Sequence, residues 1–144
     1  KLALTPAPGQ SRQELDLSWN QLSGCIPPEL GNLANLRWLD LSNNPLGGRI
    51  PPELGNLTDL RGLWLINNQL SGEIPPQIGN LANLQRLYLN GNSQLSGPLP
   101  RTLMNLQLDF FYFNDTDLCE PGDAAFQTWL GGIPDLRRTG VICQ

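Results

Sequence analysis

Residues 37–60 read RWLDLSNNPLGGRIPPELGNLTDL, and residues 61–84 repeat that text as RGLWLINNQLSGEIPPQIGNLANL. The similarity extends beyond these two stretches, because one asparagine recurs every 24 residues, at positions 20, 44, 68 and 92. A unit of this length cannot bury its leucines alone, so neighbouring units must stack to form a core. The sequence therefore predicts a repeat solenoid.

Within a unit, the text predicts one short strand followed by a bend. Leu39 and Leu41 alternate with other positions at a period of two, which is typical of a strand with one buried face. The following pair, Pro51 and Pro52, prevents helix or interior strand from continuing. We expect stacked units to form a parallel sheet on one side and irregular or 3₁₀ structure on the other. Asn44 and its equivalents would satisfy backbone groups at the bend.

Composition fits one domain that turns often. The chain has 144 residues, of which 40% are hydrophobic and 15% charged, with 15 Gly and 13 Pro. The net charge of −4 argues against nucleic acid as a partner, because such binding needs clustered Lys and Arg. No apolar run is long enough for a membrane span. Position 1 is Lys, so we expect a processed product or a fragment of a longer protein.

The sequence offers no catalytic machinery of a familiar kind. It contains no histidine, which removes Ser/His/Asp and Cys/His nucleophile arrangements and every His-containing zinc site. Asp16 and Asp40 lie one repeat apart and would be neighbours across a parallel sheet, but on an open face without a pocket that raises one pKa. We expect no enzymatic activity, no cofactor and no metal site.

The repeat carries a specific resemblance. Its pattern, LxxLxLxxNxLxGxIPxxLGNLxxL over residues 13–108, resembles the plant-type leucine-rich repeat of receptor-like kinase ectodomains and polygalacturonase-inhibiting proteins. The resemblance implies an extracellular α/β solenoid that presents a concave parallel sheet to diverse partners. We divide the chain into an N-terminal segment or truncated cap (1–12), four repeats (13–108), a degenerate fifth repeat (109–118) and a small helical C-terminal cap (119–144). Residues 1–12 lack the paired cysteines expected of a plant N-terminal cap.

Two local departures from the repeat lead to expectations about the second half of the chain. The fourth unit has one extra residue around Ser93 and Gln94, where we expect a small bulge. In the cap, Asp123 is a suitable N-cap for a short helix whose apolar side chains, Phe126, Trp129 and Leu130, would cover the last repeat.

The three cysteines fall into two groups. Cys119 and Cys143 bracket the C-terminal cap, and a disulfide between them would close a 24-residue loop, worth roughly 3 kcal/mol. The alternative is two reduced, buried thiols. Cys25 lies at a position that should be solvated, where it would be a free thiol or an intermolecular link. Sequons at Asn56 and Asn114 would be N-glycosylation sites in a eukaryotic secretory route.

The candidate binding surface follows from strand alternation. The residues between the buried leucines point to the solvent side of the sheet, and six of the ten aromatic residues fall in or beside these columns. Clustered exposed aromatics are typical of binding hot spots, although cross-strand stacking that only stabilises the sheet is the alternative. The candidate residues are Asp16, Trp19, Trp38, Asp40, Trp64, Ile66, Arg86, Tyr88, Asn90, Phe110 and Tyr112.

We interpret this face as the binding site for a protein or peptide partner. One alternative is a carbohydrate, such as a cell-wall polysaccharide, with Trp64, Tyr88 and Tyr112 as stacking platforms. The other is a structural spacer in a longer surface protein, in which the face binds nothing.

Overall fold

Repeating strands and 3₁₀ helices alternate along the chain in the computed structural model, which describes residues 13–144. Four 3₁₀ helices, one in each of four successive units, span Pro28–Asn32, Pro52–Asn56, Pro76–Asn80 and Arg101–Asn105. The strands are β1 (Glu14–Asp16), β2 (Gly24–Cys25), β3 (Trp38–Asp40), β4 (Leu46–Gly48), β5 (Gly62–Trp64), β6 (Gln69–Gly72), β7 (Arg86–Tyr88), β8 (Gln94–Pro98), β9 (Phe110–Tyr112), β10 (Asp117–Cys119) and β11 (Asp135–Arg137). One α-helix, α1, spans Ala124–Gly131.

The concave sheet is parallel and has six strands in the order β1-β3-β5-β7-β9-β11. Its register follows the repeat, since Leu39 pairs with Leu63 and Leu63 pairs with Leu87. Equivalent residues of successive units therefore form straight columns across the sheet. The α/β leucine-rich-repeat architecture predicted from the sequence is confirmed.

A second parallel sheet, in the order β10-β8-β6-β4-β2, was not predicted. The sequence suggested only irregular or 3₁₀ structure beyond the concave strands, and the 3₁₀ helices are present as expected. The additional strands have two to five residues, and several contain glycine, as in Leu46–Gly48. They pair because stacking places the same short segment of each unit beside its neighbour.

The core lies between the two sheets and the 3₁₀ helices. The leucines of the repeat, such as Leu39, Leu63 and Leu87, are fully buried. The recurring asparagines line this core, and Asn44 shows their role. Its side-chain oxygen accepts from the backbone N–H groups of Asn20 and Leu22, while its amide donates to the carbonyl of Leu41 among others. The predicted ladder is confirmed at positions 44, 68 and 92.

The extra residue of the fourth unit is absorbed before strand β8. The N–H of Leu95 donates to the carbonyl of Asn92 at 3.1 Å, which closes a turn around the insertion. The strand itself stays in register, because Gly72 pairs with Leu95 as Gly48 pairs with Leu70. The prediction of a bulge is corrected to a turn outside the strand.

The C-terminal cap is fastened in three ways. Asp123 caps α1 by accepting from the N–H of Phe126, as predicted, and the helix buries Phe126 and Leu130 over the last repeat. Cys119 and Cys143 form the predicted disulfide. Between them the fully buried Glu120 carboxylate accepts hydrogen bonds from Arg138 and other groups.

From the sequence, residues 119–144 were expected to lie outside the repeat. The structure corrects this expectation in part. Residues 135–137 form β11 beside β9, so the concave sheet extends by one strand into the cap. The predicted N-terminal segment, 1–12, lies outside the described residues. None of the helices described within residues 13–144 is both long and apolar enough to cross a membrane.

Candidate binding face

A continuous row of aromatic rings runs along the concave sheet. Trp38 lies 5.7 Å from Trp64, which stacks on Tyr88 with centroids 5.5 Å apart and planes inclined by 22°. Tyr88 then contacts Tyr112 edge-on at 4.8 Å and Phe110 at 6.4 Å. The row therefore spans strands β3 to β9 on the solvent side of the sheet.

These rings are less exposed than the sequence suggested. Trp38, Trp64, Phe110 and Tyr112 are half-buried, and Tyr88 is only 9% exposed. The reason is that the side chains lean along the sheet and cover one another's faces. The surface open to a ligand therefore consists largely of ring edges and the gaps beside them.

Gly62 makes room for the tryptophan pair. A Cβ atom at this position would lie 2.4 Å from the ring of Trp64 and 2.8 Å from that of Trp38. Both distances are far below van der Waals contact. The absence of a side chain in β5 thus allows the two indoles to close over the sheet.

The two ends of the face carry opposite charge. Near β1, a depression of about 440 Å³ is lined by Trp38, Trp64 and three carboxylates, Glu14, Asp16 and Asp40. Within residues 13–144 none of these carboxylates has an ion-pair partner. We call this depression the acidic pocket.

At the other end, cations lie over aromatic rings. The guanidinium of Arg86 lies 4.8 Å from the centroid of Phe110, and that of Arg137 lies 4.5 Å from the centroid of Tyr112. The phenol of Tyr112 donates to Asp135 at 2.9 Å. These contacts order the side chains of the last three concave strands before any ligand arrives.

Local hydrogen bonds set the ionisation of the face. The hydroxyl and N–H of Ser18 both donate to Asp16 and hold the pKa of that carboxyl below its usual value. Burial raises the pKa of Tyr88, and the hydrogen bond to Asp135 raises that of Tyr112. At neutral pH the acidic pocket therefore carries charge, and both tyrosines are protonated.

Not all the candidate residues lie on the sheet. Asp16, Trp38, Asp40, Trp64, Arg86, Tyr88, Phe110 and Tyr112 belong to its strands, whereas Trp19, Ile66 and Asn90 lie in the turns that follow them. Glu14 was not among the candidate residues, although it lines the acidic pocket. Asp135 and Arg137 were missed because the Asp135-Leu136-Arg137 segment has a single leucine and no LxL signature.

The remaining singled-out residues lie away from the face or at its margin. Cys25 is exposed and unpaired in β2, at the edge of the second sheet. Asn56 is exposed at the end of the second 3₁₀ helix. Asn114 is half-buried in the turn after β9, where its amide donates to Asp115. Across residues 13–144, no His, Cys, Asp or Glu cluster is arranged to hold a metal ion.

Comparisons with known proteins agree with this geometry. A family model described as Leucine Rich repeats (2 copies) matches residues 34–72 and 58–101, and one described as Leucine Rich Repeat matches residues 13–33. No curated protein sequence matches the chain.

Several solved structures are similar to the chain. The structure of the Arabidopsis receptor kinase HAESA with the peptide hormone IDA and the co-receptor SERK1 matches 87% of the chain at 36% identity and a TM-score of 0.79. The Arabidopsis thaliana BIR2 ectodomain matches 78% at 40% identity and a TM-score of 0.67. A plant ice-binding protein matches 90% at 35% identity and a TM-score of 0.76. The chain spans 21%, 58% and 41% of those three chains, respectively.

Proposed function

The chain belongs to the leucine-rich repeat family, of the plant type, and we propose that it is an extracellular recognition module whose concave face binds a protein or peptide. The observation that carries this proposal is the aromatic row on the solvent side of the sheet, ending in a pocket lined by three carboxylates. The similar HAESA structure holds a peptide hormone, which supports a peptide as the partner class. The disulfide of the cap supports an oxidising, extracellular location.

The chemistry of the acidic pocket selects the kind of side chain that enters it. Two indoles and three carboxylates surround a space of about 440 Å³, large enough for one long side chain. A Lys or Arg side chain would bring its charge to Asp16 and Asp40 and lay its apolar stem on Trp38. The partner therefore presents a basic residue at this end of the face.

Beyond the acidic pocket, the rest of the partner would lie along the aromatic row. The half-buried ring of Tyr112 is fixed by the hydrogen bond from its phenol to Asp135, and Arg86 provides a donor beside Phe110. Aromatic and Arg side chains of this kind, held in place before binding, lose little conformational entropy when a partner docks.

Binding rather than catalysis fits the carboxylates of this face. A lowered pKa keeps Asp16 ionised, so it does not supply the protonated acid that a glycosidase needs.

The carbohydrate and spacer alternatives lead to different results in one experiment. Peptides would be selected from a displayed random library against the wild-type chain and then titrated by calorimetry. We expect the selected peptides to be basic and to bind at least about tenfold more weakly to Trp38→Ala/Trp64→Ala and to Asp16→Asn/Asp40→Asn. The second variant keeps the shape of the face, so its loss of affinity would not reflect misfolding.

A matched control is Asp59→Asn, which removes one exposed carboxylate before the concave strand β5. It should bind the selected peptides as the wild type does, with all variants checked by circular dichroism. Failure to select any peptide, or equal binding by all variants, would contradict the proposal. Failure to select any peptide would favour the spacer, equal binding would place the peptide site on another surface, and displacement by soluble glycan would favour carbohydrate on this face.

A further inference from the structure

An equivalent position in each unit adopts a left-handed backbone in the turn after the concave strand, and in the first unit Gln21 does so as well, with φ of 55°. The equivalent positions are Trp19, Asn43, Asn67, Gly91 and Asp115, with φ of 58°, 58°, 54°, 81° and 55°. Asn, Asp and Gly tolerate this conformation, whereas a bulky aromatic residue at positive φ is a genuine outlier. Trp19 is therefore the exception in an otherwise compatible row.

The stack imposes this conformation whatever the side chain. The N–H of Trp19 donates to the carbonyl of Ser42 at 3.1 Å, and that of Asn43 donates to Ile66 at 2.8 Å. The same bond recurs one repeat further on, at Asn67. The backbone of Trp19 is therefore strained, because the neighbouring unit holds it in the left-handed conformation.

Burial does not offset that cost. The side chain of Trp19 is 77% exposed, the largest exposed hydrophobic group in residues 13–144. An Asn in its place, as in the next two units, would relieve the strain and expose less apolar surface. A strained residue whose side chain contributes no packing is a candidate for binding.

Beside Trp19 lies a groove that is polar but uncharged. It is shallow and open, with a volume of about 400 Å³, and is lined by Trp19, residues 43–45, residues 67–69 and Gly91. None of these residues carries a formal charge, in contrast to the acidic pocket of the concave face. A charged ligand would find no counter-charge here.

The amides of the groove are held in place. The Nδ2 of Asn67 donates to the Oδ1 of Asn43 at 3.0 Å. A Cβ atom at Gly91 would lie 2.0 Å from the Oδ1 of Asn67, so the space left by that glycine holds the amide. The groove therefore presents an ordered pair of amides, which contain both donors and acceptors, next to a solvent-facing indole.

We propose that this groove binds a neutral oligosaccharide, with one sugar ring stacked on Trp19 and hydroxyl groups bonded to Asn43 and Asn67. A pyranose has an apolar C–H face and a rim of hydroxyls that donate and accept, which matches an indole flanked by amides. The concave aromatic rings fit this role less well, because Trp64 and Tyr88 cover each other's faces. This site is separate from the proposed peptide site and does not depend on it.

The test is a titration of the folded chain with cellohexaose and, separately, chitohexaose, followed by tryptophan fluorescence and saturation-transfer NMR. We expect at least one probe to bind the wild type, with affinity lowered about tenfold in Trp19→Asn. Asn67→Gly, which removes an amide without straining the backbone, should also lower it. The exposed residue Asn80, at the end of the third 3₁₀ helix, gives a control variant, Asn80→Ala, that should bind as the wild type does.

A second readout separates function from folding. Because Trp19→Asn relieves the left-handed strain, it should raise the thermal unfolding midpoint while it lowers sugar affinity. A destabilised Trp19→Asn variant would overturn the argument from strain. No binding of either probe, or equal binding by wild type and Trp19→Asn, would overturn the proposed site.

Discussion

Asn68 shows how one side chain can hold two units of the solenoid together. Its amide donates to the carbonyl of Leu65 in its own unit and to that of Leu41 in the preceding unit. Its oxygen accepts from the N–H of Leu46. All of these groups are buried, so no water would replace a lost partner.

We therefore expect Asn68→Ala to lower the free energy of unfolding by about 2–3 kcal/mol, the cost of leaving several buried backbone groups unpaired. Urea denaturation followed by circular dichroism measures this. Asn20→Ala is the matched control, because Asn20 is exposed and its side chain, within residues 13–144, hydrogen-bonds only to the carbonyl of Ser18. Equal effects of the two substitutions would contradict the ladder as the source of stability.

Gly62 determines how closely Trp38 and Trp64 pack on the concave face. A methyl group at Gly62 cannot coexist with the present positions of Trp38 and Trp64, and rigid indole rings cannot simply rotate away from it. We expect Gly62→Ala to shift the tryptophan fluorescence maximum and to cost about 1–3 kcal/mol through overpacking.

The control for this substitution is Gly47→Ala, in strand β4 of the second sheet. The nearest atom to a Cβ at Gly47 is the carbonyl oxygen of Gln69 at 3.8 Å, an ordinary contact. Gly47→Ala should leave the fluorescence unchanged, and an unchanged maximum in Gly62→Ala as well would refute the close packing of the two indoles on Gly62.

At the scale of elements, the strands and helices that carry a regular apolar pattern could be predicted from the sequence. A strand that forms only because it pairs with a neighbour could not. Strand β5 follows from the alternation of Leu63 and Leu65, and α1 follows from the Asp123 cap and its apolar stripe. Strand β11 could not be found, since one leucine between two charged residues carries no period. The ring contacts of Trp64 could not be predicted either, because they depend on the space left by Gly62 and on side-chain rotamers.

One pH-dependent part of the cap is built on Glu120. Burial raises the pKa of this carboxyl, but hydrogen bonds from Arg138 and Gln127 outweigh that effect and hold the pKa below its usual value. A folded-state pKa below the unfolded value means that the ion pair stabilises the protein above pH ~4.3. This stabilisation is lost as the pH falls through the lower, folded-state pKa.

Accordingly, Glu120→Gln should lower the free energy of unfolding by about 2 kcal/mol near neutral pH. The difference from wild type should shrink as the pH is lowered below ~4, because the wild-type carboxylate then becomes protonated as well. Urea denaturation across this pH range provides the measurement, with Glu29→Gln, at an exposed site of the first 3₁₀ helix, as the control. A difference that stayed constant with pH would argue against the buried ion pair.

At the scale of the whole molecule, the proposed binding features lie on one side of the solenoid and the 3₁₀ helices lie on another. The concave sheet and its turns carry the aromatic row, the acidic pocket and the groove beside Trp19. The 3₁₀ helices carry Asn56 in an exposed position together with Thr58 of its sequon. Asn114 instead lies at the margin of the concave sheet, with its side-chain oxygen buried and its amide bonded to Asp115.

This division predicts which sequon carries a glycan when the chain passes through a eukaryotic secretory route. An oligosaccharide needs an accessible amide nitrogen and open space around it, and the exposed Asn56 provides these better than the half-buried Asn114, whose side-chain oxygen is buried. We expect one glycan, seen as a single mass shift that an amidase removes. Asn56→Gln should abolish the shift and Asn114→Gln should leave it intact. The opposite pattern would place a glycan at the edge of the proposed binding face, and the concave sheet would then have to accept its partner beside a bulky, mobile sugar.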